Sequence, residues 1–155
     1  VPATAAIFWD PDSLEMNGRI FASSNNGNVY AIAPNGATEW IFDAGGNPGT
    51  ITLAMDGTLY VSASGILFAL SPYDGSVIWQ FDIGNSNGNS APAIDDNGII
   101  YKGSFELLYV LDSDGNVLWT FPTNGWIGPP SIGSDGTIYI SSDKIYSINY
   151  CNYNF

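Results

Sequence analysis

The chain has 155 residues, with three basic and fifteen acidic side chains, a formal net charge of −12, no histidine and one cysteine, Cys151. That length suits one domain, and an apolar fraction of 45% is enough for a core and argues against disorder. So acidic a chain lacks the Lys/Arg footprint that nucleic acid or an anionic membrane needs, the missing histidine excludes zinc sites and His-dependent triads, and a lone cysteine cannot close an intrachain disulfide.

Eighteen Gly, nine Pro, nine Tyr and eight Phe indicate many turns and aromatic strands, and no apolar run approaches the ~18–20 residues of a membrane span. The first distinctive stretch is "IFWDPD", which carries Trp9 and opens an acidic run with Asp10, Asp12 and Glu15. Four similar units follow. The first reads "NGRIFA" at Gly18, "NVYAI" at Tyr30 and "APNGATEWIF" with Gly36 and Trp40. The second reads "DGTLYV" at Gly57, "LFAL" at Phe68 and "PYDGSVIWQF" with Gly75 and Trp79. The third reads "NGIIYK" at Gly98, "LLYVLD" at Tyr109 and "DSDGNVLWTF" with Gly115 and Trp119. The fourth begins after "TNGWIGPP", gives "DGTIYI" at Gly136 and "IYSI" at Tyr146, and stops at "DKIYSINYCNYNF", which has neither Gly nor Trp.

Three markers keep one period. The glycines before the φ-Tyr-φ segment step by 39, 41 and 38 residues; the following aromatics step by 38, 41 and 37; the Gly and Trp of the third phrase both step by 39 and 40. Each unit holds four short extended segments, clearest in the third: "SAPAID", "GIIYKGS", "LLYVLD" and "VLWTF", divided by "DNG", "FE" and "SDGN" turns. No stretch sustains a 3.6-residue period. Four strands in ~40 residues, repeated, predict an all-β propeller of four-stranded antiparallel blades. The units place the blades at about 10–46, 47–86, 87–124 and 125–155 of a single domain spanning 1–155, the last blade incomplete.

The "GH…WD" ending of WD40 repeats is absent. The phrase "[DN]G-x-φ-φ-W-x-F", best seen in "ALSPYDGSVIWQF" from Ala69 to Phe81, resembles the repeat of pyrroloquinoline-quinone-type (PQQ-like) propellers from about Pro11 to Tyr150. In that family the Trp docks on the neighbouring blade, which implies an architectural role for Trp40, Trp79 and Trp119. The family's usual Thr-Gly is here Asn35-Gly36, Asp74-Gly75 and Asp114-Gly115, pairs suited to tight turns. The family includes quinoprotein dehydrogenases, outer-membrane assembly lipoproteins and many surface proteins, so the resemblance bears on fold more than on function. About four blades make a partial ring with two uncovered faces, to be closed by a second copy as a homodimeric eight-bladed ring, by a longer chain, or as a small four-bladed ring. The N-terminal "VPATAAIFW" is a candidate for the missing outer strand of the fourth unit. Against it, Trp9 precedes Gly18 by nine residues, whereas the other Trp residues precede the next Gly by 17 to 19.

The family's cofactor constellation of Glu, Asn, Asp with Ca²⁺, Arg, Trp and vicinal cysteines cannot be placed on a chain whose one arginine is Arg19. No cofactor is therefore expected. The clusters Asp112/Asp114, Asp95/Asp96/Asn97 and Asp10/Asp12/Glu15 resemble oxygen-ligand sets for Ca²⁺, but none completes an EF-hand loop, and turn formation at strand ends is the favoured reading. Trp9 and Trp126 fall outside the Trp phase, in loops beside Gly and Pro. They are candidates to stack on a sugar or cap a partner, or else to pack between blades. Lys102 stands where the other units have Ala22, Val61 and Ile140, so it should face the inter-blade layer or the channel and need a partner, with Glu106 the nearest candidate. A site on the channel and a snorkelling side chain are both open readings, and Lys102→Leu is expected to fold.

The sequence thus points to a non-catalytic binding or scaffold module in an extracellular, cell-surface or periplasmic setting. Its partners would be proteins or carbohydrate, not nucleic acid or the membrane interior. The alternatives are one arc of a PQQ-dependent dehydrogenase whose cofactor ligands lie elsewhere, and a lectin-like propeller.

Overall fold

Runs of four to six β-branched and aromatic residues, cut by Asx-Gly turns, leave the backbone too little length to wind a helix. The computed structural model describes residues 5–7, 18–84 and 90–149, and every regular element in them is a strand. No helix there is long and apolar enough to cross a membrane. Trp9, Cys151 and the run Asp10, Asp12, Glu15 lie outside the described residues.

Four antiparallel sheets follow one another, each with its strands in chain order. The first contains β1 (Ala5–Ile7), β2 (Ile20–Ser23), β3 (Asn28–Ile32) and β4 (Thr38–Asp43). The second contains β5 (Thr52–Leu53), β6 (Leu59–Ala63), β7 (Ile66–Leu70) and β8 (Val77–Asp82). The third contains β9 (Ala93–Ile94), β10 (Ile100–Gly103), β11 (Leu107–Leu111) and β12 (Val117–Pro122), and the fourth β13 (Ser131–Ile132), β14 (Ile138–Ser141) and β15 (Ile145–Ile148). This is the all-β propeller arc expected from the repeat, with three strands described in the fourth blade. The N-terminal residues do supply a strand, but to the first blade. Ala5 pairs with Ala22 and Ile7 with Ile20.

The core is three seams, one per pair of neighbouring blades. Phe21, Val29 and Ala31 of the first blade meet Leu59, Val61 and Ala63 of the second. Tyr60, Leu67 and Ala69 on the second blade's other face meet Ile100 and Leu111 of the third. Tyr101, Leu108 and Val110 meet Ile138, Ile140 and Ile148 of the fourth. Each residue of β6 and β10 is therefore buried, because both faces of those blades are covered. In β2 and β14 burial alternates, with Tyr139 44% and the neighbouring Ile145 80% exposed on the fourth blade's outer face. The end blades each have one uncovered face.

The repeated phrase makes the seams. A β-bulge between strands three and four recurs at Ala31/Ile32, Ala69/Leu70 and Val110/Leu111, so that Trp40, Trp79 and Trp119 each follow one extra residue. Trp40 lies flat on Gly75 of the next blade and its indole N–H donates to Pro72 O at 3.1 Å. Trp79 lies on Gly115 and donates to Ser113 O at 2.8 Å. Two residues on, the Phe of each phrase meets the next blade's third-strand aromatic nearly edge to face. The pairs are Phe42 with Phe68 at 5.2 Å, Phe81 with Tyr109 at 5.2 Å and Phe121 with Tyr146 at 5.4 Å between centroids. Such pairs contribute about 0.5–1.5 kcal/mol each beyond the area they bury.

The glycine under each indole is required twice over. Gly75 has φ +72°, and a Cβ there would stand 2.6 Å from the Trp40 ring; Gly115 has φ +84°, and its Cβ would stand 2.8 Å from Trp79. Gly36 of the first blade shares the conformation, at φ +85°, but has nothing within 4 Å. Gly36→Ala is expected to cost about 1 kcal/mol of left-handed strain. Gly75→Ala and Gly115→Ala are expected to cost roughly 2 kcal/mol more, from overpacking. Urea midpoints of the three variants measure the difference; equal losses would mean that the indole contacts add nothing.

Candidate functional site

The strand order separates the two rims of the arc. One rim carries the Asx-Gly turns at Asn35-Gly36, Asp56-Gly57, Asp74-Gly75, Asn97-Gly98, Asp114-Gly115 and Asp135-Gly136, which follow first or third strands. The other carries the hairpins between second and third strands and the blade-to-blade connections. On the first rim the acidic residues work as turn formers. The Thr58 amide donates to Asp56 Oδ1 at 2.9 Å, the Ser76 amide to Asp74 Oδ1 at 3.1 Å, the Asn97 amide to Asp95 Oδ1 at 2.9 Å and the Asp114 amide to Asp112 Oδ1 at 3.0 Å. The Asn116 side chain and amide hold the Asp112 carboxyl below its usual range, and Ser76 does the same for Asp74.

Between the second and third blades this rim opens into a cavity of about 270 Å³, whose lining includes Met55, Asp56, Tyr60, Asp95, Asp96 and Ser113. That is smaller than the ~300–1,000 Å³ of ordinary small-molecule pockets. Tyr60 is 2% exposed and packs on Trp79 with centroids 5.6 Å apart. Burial, then the charges of Asp56 and Asp114, push its hydroxyl up to about 12. In the third blade the equivalent Tyr101 donates its hydroxyl to Asp95 of its own blade at 3.3 Å. The position equivalent to Asp95 in the second blade is Ala54, and the Tyr60 hydroxyl makes no hydrogen bond among the described residues. Tyr60 escaped sequence reasoning because its column is aromatic in every unit; the signal lay one column away, in Ala54 against Asp95.

Lys102 lies in the same seam, toward the opposite rim, with no exposed surface. It does face the inter-blade layer, but its partners are not Glu106. Its ammonium donates to Ser90 O at 2.8 Å, Ser90 Oγ at 3.0 Å and Gly103 O at 3.0 Å. Glu106 is exposed at the hairpin tip with φ +75°, and its backbone joins Gly125 and Thr123 across the neighbouring connection. Lys102 thus ties the chain entering the third blade to that blade's second strand. A second tie is the Ser104 hydroxyl, which donates to Ile83 O at 2.8 Å. Burial lowers the Lys102 ammonium to about 8.

Trp126 is 43% exposed in the connection between the third and fourth blades, beside Ile127, which is buried against Gly103. It stands apart from the cavity, and no ring contact joins it to another aromatic among the described residues. Arg19, 9% exposed, pairs with Glu39, the bulged residue before Trp40, and donates from Nη1 to Pro72 O at 2.7 Å, the carbonyl that also receives the Trp40 indole. Trp119 is buried in the third seam.

A family model described as outer membrane protein assembly factor BamB matches residues 25–149. Among curated proteins, the chain is 33% identical over 147 residues to protein GAMETE EXPRESSED 3 of Arabidopsis thaliana, across 86% of this chain and 22% of that protein. Among solved structures it is similar to BamB from Moraxella catarrhalis, with a TM-score of 0.68 and 18% identity over 89% of this chain and 48% of that one. It is also similar to the computationally designed Ika4 protein, with a TM-score of 0.70 and 13% identity over 84% of this chain and 86% of that one. The chain thus spans about a fifth of the curated relative and about half of the BamB chain, and at these identities the structures speak for the fold alone.

The buried lysine makes stability depend on pH. Below pH 8 the ammonium is charged in both states and its desolvation penalty is fully present. As pH rises from about 8 toward the ordinary 10.5, the folded state releases its proton first, so stability increases. Between pH 7 and pH 9.5 the chain is expected to gain about 2 kcal/mol. Lys102→Leu is expected to fold and to lose that slope. Urea unfolding across the range measures it; a slope unchanged in the variant would assign the pH dependence to other groups.

Proposed function

Because the chain belongs to the family described as outer membrane protein assembly factor BamB, propellers built on the PQQ-type repeat, we propose that it is a non-catalytic scaffold that binds other proteins, and that its arc is half of an eight-bladed ring completed by a second copy. The observation that carries the reading is the pair of uncovered end faces, with apolar side chains such as Ile7 and Ile145 at 64% and 80% exposure. Faces of that kind in a propeller are covered by another blade. The match to about half of a BamB chain fits four further blades. Arg19, the chain's one arginine, is engaged by Glu39 and Pro72, which favours a scaffold over an arc of a quinoprotein dehydrogenase. An exported setting agrees with the family and with the low lysine content.

In a two-copy ring the uncovered face of each first blade meets the fourth blade of the other copy, and such a non-covalent dimer should dissociate on dilution. Light scattering is expected to give a mass near twice 16.5 kDa at high concentration, falling toward 16.5 kDa as the protein is diluted. A monomer at every concentration would refute the two-copy ring. Titration with pyrroloquinoline quinone and Ca²⁺ is expected to leave the quinone absorbance unchanged; a saturable shift would favour the dehydrogenase reading instead.

A further inference from the structure

The cavity between the second and third blades combines three properties. Its floor holds the Tyr60 hydroxyl, which opens into the cavity from a side chain otherwise buried and makes no hydrogen bond among the described residues, because Ala54 stands where the third blade supplies an aspartate. A hydroxyl that opens into a cavity without a protein partner is met by water or by a ligand. Its rim is anionic: the Asp95 Oδ1 atom is committed to the Asn97 and Ile99 amides and its Oδ2 to Tyr101, while Asp56 Oδ1 takes one amide and Asp96 is exposed. Its lip is apolar, with Met55 89% exposed.

None of the three basic side chains lines the cavity. Arg19 pairs with Glu39, Lys102 is bonded to Ser90 and Gly103, and Lys144 stands 4.9 Å over the Tyr146 ring in the fourth blade. The carboxylates are also too dispersed for an inorganic cation, since no group of three or more acidic, Cys or His side chains among the described residues converges as a metal site. An organic cation fits better. It needs a flat charged head to bridge separated carboxylates, donors to spare for a tyrosine oxygen, and an apolar stem to lie along a methionine. The guanidinium of arginine has all three, with donors in a fixed fork, whereas an ammonium is a compact, more strongly hydrated point charge.

We propose that this cavity is a docking pocket for an arginine side chain presented by a protein partner, with Asp56 and Asp96 facing the guanidinium, the Tyr60 hydroxyl accepting one of its N–H groups and Met55 covering the stem. The proposal rests on the scaffold reading and names the chemistry of the partner. The net charge of −12 draws such a segment in from a distance and makes the encounter sensitive to salt.

The test is isothermal titration of the whole chain with the peptide acetyl-Leu-Arg-Leu-amide, and with its citrulline and lysine counterparts, at low and moderate salt. Citrulline keeps the shape and removes the charge. The arginine peptide is expected to bind at least about tenfold more tightly than the citrulline peptide and several-fold more tightly than the lysine one. Tyr60→Phe is expected to weaken arginine binding at least about threefold. The first blade has Phe21 in that column, so the variant should fold. Ala54→Asn, which offers the Tyr60 hydroxyl an acceptor inside its own blade, is expected to weaken binding similarly, and so is Asp96→Asn. Asp135→Asn, in the equivalent rim turn of the fourth blade, is expected to change nothing.

Equal affinity for arginine and citrulline peptides overturns the proposal. So does an Asp135→Asn loss as large as that of Asp96→Asn, which would show diffuse attraction to an acidic surface. Lysine binding as tight as arginine overturns the guanidinium assignment. If the peptides fail while the mass in solution still shows assembly, the pocket is wrong and the scaffold stands; if the peptides bind to a strict monomer, the two-copy ring is wrong and the pocket stands.

Discussion

The indole of one blade resting on the turn glycine of the next is the contact on which the structure depends. It joins two constraints in one place. The glycine is needed because the turn requires a positive φ, and needed again because the ring leaves no room for a Cβ. The indole N–H then fixes the ring's rotation by reaching a backbone carbonyl, and the phenylalanine two residues later makes a second aromatic contact farther along the same strand. The outermost strand of each of the first three blades alternates exposed side chains with these aromatic ones. In the first two blades, two aromatic rings and one directed hydrogen bond join that strand to the next blade, and the bulge before the tryptophan sets the strand's face accordingly.

The same logic explains why the seam between the second and third blades is the interesting one. Both blades are covered on both sides, so every side chain there sits in a fixed environment, and departures from the repeat register as isolated polar groups. Lys102 is one departure. Its charge costs stability at neutral pH, and its bonds to Ser90 anchor the chain where it enters the third blade. Tyr60 is the other. It keeps the packing role of its column while losing the carboxylate that occupies its counterpart Tyr101. The seam thus holds a lysine where the other blades are apolar and a tyrosine without the acceptor its third-blade counterpart has, and the strand ladders run unbroken past both.

Much of this fold was legible in the sequence because the contact that builds it repeats. Gly75 and Trp79 recur forty residues later as Gly115 and Trp119, and each pair marks a turn, a strand and a neighbour at once. Residues that do not repeat were harder to place. Ala5–Ile7 has no glycine marker, and residues 8–19 separate it from its partner strand, where the other blades use only residues 54–58, 95–99 and 133–137. Glu106 looked like the partner of Lys102 because the two are close along the hairpin, yet the left-handed turn carries the carboxylate to the surface, and the true acceptor comes from a loop twelve residues upstream. Tyr60 was hidden by its own regularity. Its chemistry depends on what residue 54 lacks, which becomes visible only when the blades are aligned in register.

The bare glycine platform of the first blade has a consequence for how the arc can grow. Each internal seam has a giver, the indole, and a receiver, the turn glycine, always in the same order along the chain. The arc therefore has a direction, and its first blade presents a receiver, the Gly36 turn, with nothing within 4 Å of where a Cβ would stand. A blade joining there could repeat the indole contact only by arriving in the same rotational sense; a face-reversed one would set receiver against receiver.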